Sequence, residues 1–163
     1  MPKIDLDALA TSNATGYPAP FDAAVSGRWW KRLAPVAGLT HMGASHVVLD
    51  PGSASSQRHW HRGEDELVVM LTGEAVLIED DGRTLLRAGD VCGWAGGVEN
   101  GHTLVNESAA PCSFIAIGAG PELGGVYSDI DMMWNEQGYV HKDGTPYPGA
   151  VPASARPASE EDA

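Results

Sequence analysis

The segment with the clearest chemical potential is HWHRGEDE at 59–66. His59 and His61 are two positions apart, and alternate side chains of a β-strand share a face, so on a strand both imidazoles point the same way. Glu66 follows five residues later with a carboxylate, and His102 offers a third imidazole. Three nitrogen ligands and one oxygen suit a divalent metal ion such as Mn, Fe(II), Co, Ni, Cu or Zn.

Four protein ligands leave one or two positions of a five- or six-coordinate ion open for water or a substrate. The pattern therefore predicts a reactive centre rather than a closed structural one. Glu64 lies beside the ligands and is the candidate catalytic residue, although the general base stays open between Glu64 and a metal-bound hydroxide. Asp65 faces away from the ligands by alternation.

Alternation also predicts which residues line the interior near this centre. Met70 shares a strand face with Glu66. Trp94 lies just before the Gly96-Gly97 turn, where its indole ring can form a wall for a substrate. Both residues are therefore candidates for the substrate pocket. Three further candidates, which could move protons at the pocket mouth, are Tyr127, Tyr139 and Tyr147.

The elements that must hold these residues are predicted to be short strands. Turn signals recur every eight to ten residues across the middle of the chain, which is typical of an all-β sandwich or barrel. Asp81-Gly82 indicates a tight hairpin, and no long stretch has the 3.6-residue period of an amphipathic helix. The predicted parts are an N-terminal arm, a β-barrel, an extension packed on the barrel and a disordered tail, at 1–28, 29–120, 121–148 and 149–163.

Composition limits the possible partners. The chain of 163 residues has 22 acidic and 10 basic side chains, and its formal net charge of −12 disfavours nucleic acids and anionic membranes. The first residues lack a basic start and an apolar core, so we expect no signal peptide. Cys92 and Cys112 form no C-x-x-C motif, and both fit a reducing cytoplasm.

The pattern around the histidines resembles the cupin superfamily. The first cupin motif runs glycine, a spacer, His-x-His, glutamate and glycine, and the second runs glycine, a Pro-x-Gly turn, histidine and asparagine. Here the spacer before His59 is one residue longer than usual, Ala95 replaces the proline, and the loop before His102 is two residues longer. The matching positions are Gly52, His59, His61, Glu66 and Gly73, followed by Gly89, Gly97, His102 and Asn106.

The resemblance covers roughly residues 30–118 and implies a single cupin, a jelly-roll-like double-sheet β-barrel, whose metal ligands are His59, His61, Glu66 and His102. The chain looks like the small single cupins that are often named as sugar phosphate isomerases. This implies a metal-dependent enzyme that acts on a small polar, hydroxylated substrate, with the metal stabilising the enediolate that proton transfer creates. We also expect a cytoplasmic homodimer, because cupin barrels often pair.

Three other functions stay open on the sequence alone. With Fe(II), the open positions could hold O₂ beside a chelating substrate, as in a dioxygenase. The metal could instead hold a ligand in a non-catalytic sensor. The barrel could also be purely structural, without a metal.

A phosphorylated sugar requires a cation near the centre. Arg58 and Arg62 flank the histidine pair, but alternation points both away from the face of the two imidazoles. Together with the net charge of −12, this argues against a phosphosugar unless a bulge or another loop turns an arginine inward. The remaining candidate anion contacts are Lys31, Arg32 and Lys142.

Overall fold

The computed structural model describes residues 3–149, and its antiparallel strands confirm the all-β prediction. These residues contain no α-helix, only two 3₁₀ helices, Leu6–Ala8 and Phe21–Val25. The strands in chain order are β1 (Arg28–Arg32), β2 (Gly43–Leu49), β3 (His59–His61), β4 (Asp65–Thr72), β5 (Glu74–Glu79), β6 (Gly82–Arg87), β7 (Val91–Trp94), β8 (Thr103–Val105), β9 (Cys112–Ala119), β10 (Gly125–Tyr127), β11 (Met133–Asn135) and β12 (Gly138–Val140). Across this part of the chain, no helix has the length and apolar character that a membrane crossing requires.

Three antiparallel sheets build the jelly-roll-like barrel. Their strand orders are β1-β2-β9-β4-β7, β12-β11-β10-β3 and β6-β5-β8. A backbone bridge between His59 and His102 connects β3 to the start of β8, so the two smaller sheets continue into one another. The result is the predicted double-sheet arrangement, with the five-stranded sheet as the other layer.

The main hydrophobic core lies between the five-stranded and three-stranded sheets. It is formed by the inward side chains of six strands: Val47, Leu49, Val68, Met70, Ala75, Leu77, Leu86, Leu104, Cys112 and Phe114. Because strand side chains alternate, the same face that fills this core continues toward the histidines. The core therefore positions the strands that carry the candidate ligands.

A second cluster joins the two ends of the described chain. Its members come from the predicted arm and the predicted extension: Tyr17, Val25, Tyr127, Met132, Trp134 and Tyr139. β10 of the extension also pairs with β3, with Gly125 opposite His61 and Tyr127 opposite His59. The terminal segments thus pack beside the strand that carries the histidine pair. Of the predicted tail at 149–163, residues 150–163 lie outside the described residues.

The predicted hairpin lies one residue earlier than the sequence indicated. Glu79 of β5 pairs with Gly82 of β6, so the turn consists of Asp80 and Asp81. Gly82 is the first residue of β6 and has φ of 144°, a conformation that favours glycine. The Asp-Gly pair therefore predicted the hairpin correctly, but Gly82 is the first residue of β6 and does not belong to the turn.

Asn106 closes the barrel where β8 ends. Its side chain is fully buried, and its amide nitrogen donates to the carbonyl oxygens of Leu49 at 2.8 Å and Ala110 at 2.9 Å. Its amide oxygen accepts from the backbone N–H of Ser108 at 3.0 Å and from the Ser108 hydroxyl at 2.8 Å. One side chain therefore links the end of β2 to the loop that precedes β9.

We expect Asn106→Asp to lower the free energy of unfolding by about 3 kcal/mol, because the buried carbonyl of Leu49 and the carbonyl of Ala110 lose their donor and face a carboxylate. Urea denaturation at neutral pH measures this loss. Asn135→Asp is the matched control, since the Asn135 side chain accepts from the Gln137 N–H at 2.8 Å and a carboxylate still accepts there. Equal losses in the two variants would contradict the role assigned to Asn106.

Candidate metal centre

The backbone places four side chains of the predicted ligand set together. His59 and His61 lie on one face of β3, and Glu66 is the second residue of β4. His102 precedes β8, and two backbone hydrogen bonds hold it opposite His59: His59 N–H to His102 O at 3.1 Å, and His102 N–H to His59 O at 2.8 Å. Residues that are distant in sequence therefore meet because β3 and β8 are neighbours.

The donor atoms of these side chains are closely spaced. Nε2 of His59 is 3.1 Å from Nε2 of His61, which is 3.2 Å from Oε2 of Glu66. These three residues form a cluster whose donor atoms all lie within 4.8 Å of one another. Two donors each about 2.1 Å from one ion, at right angles, are separated by about 3 Å. The cluster therefore has the spacing and the donor types of a site for one divalent ion.

His102 contacts this cluster through the carboxylate of Glu66. Its Nε2 lies 3.0 Å from Oε2 of Glu66, while its Nδ1 faces the carbonyl of Asn100 at 3.3 Å. Nδ1 of His59 likewise faces the carbonyl of Gln57 at 3.0 Å. When Nδ1 donates its proton to a carbonyl, the lone pair of Nε2 is free to bind a metal. In that tautomer both histidines direct the lone pair of Nε2 toward the cluster.

Burial and neighbouring charges set the protonation of the cluster. Burial lowers the pKa of His59 to about 3, so this imidazole is neutral. Burial alone would also lower the pKa of His61, but the Glu64 and Glu66 carboxylates outweigh it and raise the pKa to about 9. Burial would raise the pKa of Glu66, but the His102 and His61 imidazoles prevail and hold it well below its usual range. The carboxylate ligand is therefore ionised and ready for a cation.

Glu64 faces the same space, as a candidate catalytic residue requires. Its Oε2 is 3.3 Å from Nδ1 of His61, a contact between charged groups that lacks hydrogen-bond geometry. A Cβ on Gly118 would clash with the Glu64 carboxylate, so the missing side chain at Gly118 makes room for it. Asp65 turns elsewhere and accepts from the Gly96 N–H at 2.8 Å. The room that Gly118 leaves for the Glu64 carboxylate was not visible in the sequence.

The cluster opens into a cavity of about 600 Å³. The residues that line it do not include Met70 or Trp94, which corrects the prediction for both. Met70 is only 1% exposed and belongs to the hydrophobic core, whereas Glu66 and Val68 on the same strand face line the cavity. Trp94 stacks behind His102, with ring centroids 3.9 Å apart and planes 10° apart, and supports this ligand instead of a substrate.

Other cavity walls come from segments that the sequence left without a function. Tyr17 of the arm and Tyr139 of the extension both line the cavity, and their rings stack with centroids 5.5 Å apart. Of the three candidate tyrosines, Tyr139 is therefore the one at the cavity. Tyr127 packs on the His59 ring at 5.8 Å, and the Tyr147 hydroxyl donates to the carbonyl of Asp131 at 2.7 Å.

Comparisons with known proteins agree with this architecture. A family model described as the cupin domain matches residues 45–118. A crystal structure of a sugar phosphate isomerase of the cupin superfamily from Silicibacter pomeroyi is 37% identical, with a TM-score of 0.83, and the match covers 90% of this chain and 96% of that one. No curated protein matches the chain.

Two more distant structures share the fold. A protein from Acidithiobacillus ferrooxidans, provisionally named a sugar phosphate isomerase, is 21% identical, with a TM-score of 0.62 and coverage of 75% of this chain and 82% of that one. A polyketide cyclase from Streptomyces resistomycificus is 14% identical, with a TM-score of 0.64 and coverage of 80% and 87%. The same barrel therefore accompanies different chemistries, and the fold alone does not identify the reaction.

We expect His61→Ala to reduce the bound divalent metal from about one ion per chain to near zero, because it removes the imidazole that touches both His59 and Glu66. Elemental analysis after loading with Mn, Co or Zn and removal of excess metal measures the content. His41→Ala is the control, since His41 is exposed and lies outside the cluster. Unchanged metal content in His61→Ala would exclude this ligand set.

Proposed function

The chain belongs to the cupin superfamily, and from this premise we propose that it is a metal-dependent isomerase that interconverts aldose and ketose forms of a sugar phosphate. The observation that carries the proposal is that one cavity holds both the His59, His61 and Glu66 cluster and the separate carboxylate of Glu64. Similarity to the Silicibacter pomeroyi sugar phosphate isomerase, at 37% identity over nearly its full length, supports the substrate class.

In this proposal the cluster residues hold one divalent ion, and His102 is the fourth ligand. The ion, when bound, polarises the substrate's carbonyl and hydroxyl oxygens and stabilises the negative charge that develops on them. Trp94 and the carbonyls of Gln57 and Asn100 keep the imidazoles in their binding orientation. The identity of the ion is left to measurement among Mn, Fe, Zn, Ni and Co.

Glu64 is the proposed general base. Its carboxylate removes the proton from the carbon next to the carbonyl. The electron pair of that C–H bond forms a carbon–carbon double bond, and the carbonyl π pair moves onto the carbonyl oxygen, which gives an enediolate. The protonated Oε of Glu64 then gives a proton to the former carbonyl carbon, while the proton of the neighbouring hydroxyl passes to the former carbonyl oxygen, so that a new carbonyl forms and no oxidant is required. The proton held on Glu64 exchanges with solvent between the two steps. His61 orients this carboxylate through its Nδ1, at 3.3 Å. Tyr17 and Tyr139 form an aromatic wall of the cavity.

The proposal includes a cytoplasmic homodimer, as the sequence predicts. The outer face of the five-stranded sheet supports self-association, because it exposes apolar side chains at Leu67, Leu71 and Val91. On β4, Leu67 and Leu71 alternate with Glu66, Val68 and Met70, whose side chains face inward.

Anaerobic isomerisation in D₂O tests the function. We expect the Mn-, Co- or Zn-loaded protein to convert aldose phosphates to ketose phosphates without O₂, with solvent deuterium entering at the carbon next to the carbonyl, as NMR detects. Consumption of O₂ that requires Fe(II), without isomerisation, would replace this function with that of a dioxygenase. Stabilisation by sugar phosphates without turnover would instead identify a non-catalytic binding protein.

We expect Glu64→Gln to lower kcat by about a hundredfold or more, because the amide cannot accept the proton, while the bound metal stays unchanged. Steady-state kinetics and elemental analysis on the same sample separate the two effects. Glu99→Gln is the matched control, because Glu99 is exposed and outside the cavity. Loss of metal with normal turnover per remaining ion would show that Glu64 only positions His61.

A further inference from the structure

The inner face of β1 brings positive charge to the cavity. Arg28, Trp30 and Arg32 alternate along this edge strand, and all three line the cavity. Lys31 points the other way and donates to the carbonyl of Leu6 at 2.7 Å. Arg32 is exposed and rests over the Trp30 ring, 5.1 Å from its centroid. Arg28 is the arginine that lies further inside.

Arg28 lacks an internal counter-charge. Its Nη1 donates to the carbonyl of Ser55 at 2.8 Å, but its buried Nε has no hydrogen-bond partner. Arg28 also takes part in none of the ion pairs that residues 3–149 form. Arg58, by contrast, binds the carboxylates of Asp80 and Asp129. A partly buried guanidinium stays charged, and its burial is costly unless an anion pairs with it.

The charges of the cavity lie at different points of its wall. The acidic residues that line it are Glu64 and Glu66, both at the histidine cluster. In the five-stranded sheet Glu66 pairs with Gly118, and Gly118 pairs with Gly43 at one end of β2. Arg28 pairs with Leu49, which lies at the other end of β2. One cavity thus offers metal ligands and a base at one point and an unpaired cation at another.

We propose that Arg28 binds the phosphate group of the substrate, while the reacting carbons face the histidine cluster. A guanidinium presents a planar fork of N–H donors that matches two oxygens of a phosphate. Ser56 and Tyr17 line the same cavity. The anion site stands on the unpaired charge of Arg28, and its assignment to the substrate's phosphate rests on the proposed isomerase function.

This placement answers the objection raised by the sequence. The net charge of −12 and the outward direction of Arg58 and Arg62 argued against a phosphosugar unless another segment turned an arginine inward. β1 is that segment, because its register against β2 sets Arg28 on the inner face. Arg32, one of the three candidate anion contacts, stands on the same face, where its charge attracts anions toward the cavity.

Calorimetric titration with inorganic phosphate tests the inference on the full chain, both metal-loaded and chelator-treated, so that binding to the metal is separated from binding to Arg28. We expect saturable binding in both samples. Arg28→Gln should weaken it by about tenfold to a hundredfold, because a charged hydrogen-bonding partner is lost. The phosphate affinity of Arg28→Lys should lie between those of the wild type and Arg28→Gln, since lysine keeps the positive charge but lacks the planar pair of N–H donors. Arg87→Gln, a change on the exposed surface of β6, should bind phosphate like the wild type.

Three results would overturn the inference: no saturable phosphate binding by the chelator-treated wild type, wild-type affinity in folded Arg28→Gln, or tighter binding of acetate than of phosphate. If Arg28→Gln does not fold, a crystal structure of the unsubstituted chain with tungstate decides. Tungstate bound to the guanidinium of Arg28 would support the proposed anion site. Tungstate bound only at other places would overturn it.

The same variants separate this inference from the proposed function. Phosphate binding that depends on Arg28, in a protein that isomerises no sugar phosphate, would refute the isomerase proposal and leave the anion site standing. Isomerisation of sugar phosphates with an unchanged KM in Arg28→Gln would leave the isomerase standing and overturn the role of Arg28. Isomerisation with a KM raised by about tenfold or more supports both.

Discussion

The candidate site depends on the pair of backbone hydrogen bonds between His59 and His102. They join the two smaller sheets where β3 meets the start of β8. Because the two strands meet in register at these residues, their imidazoles lie side by side, with ring centroids 5.0 Å apart. Glu66 then reaches them from the opposite sheet. The barrel closes around this contact, and Asn106 holds the end of β8 that follows it.

The cluster balances the cost of burial against opposite charge. A buried carboxylate such as Glu66 is unfavourable alone, but two imidazoles at 3.0 and 3.2 Å compensate it. His61 lies between the Glu64 and Glu66 carboxylates, which hold a proton on it, whereas His59 is neutral because burial dominates there. Such divergent environments within a few ångströms are characteristic of functional sites. In the absence of a metal ion, protonated His61 supplies the positive charge beside the two carboxylates. A bound divalent cation would take over this role.

The terminal segments add walls to the cavity beside the barrel. β1 extends the five-stranded sheet and brings Arg28 to the interior, while the extension adds Tyr139 opposite Tyr17. The aromatic cluster that joins these segments lies against the His59 and His61 rings through Trp134, with centroids 5.5 and 5.2 Å away. The cupin barrel thus holds the candidate metal ligands, and the segments around it give the cavity further walls and its unpaired cation.

The sequence by itself determined the all-β class and the cupin barrel, because turn spacing, strand alternation and two spaced motifs are local. Alternation also placed His59 and His61 on one face and turned Arg58 outward. Only the tertiary structure decided what depends on which strands are neighbours. It placed Met70 in the core and Trp94 behind His102. It also left room at Gly118 for the Glu64 carboxylate and turned Arg28 inward. A strand's own residues define its two faces, but only the sheet packed against it decides what each face meets.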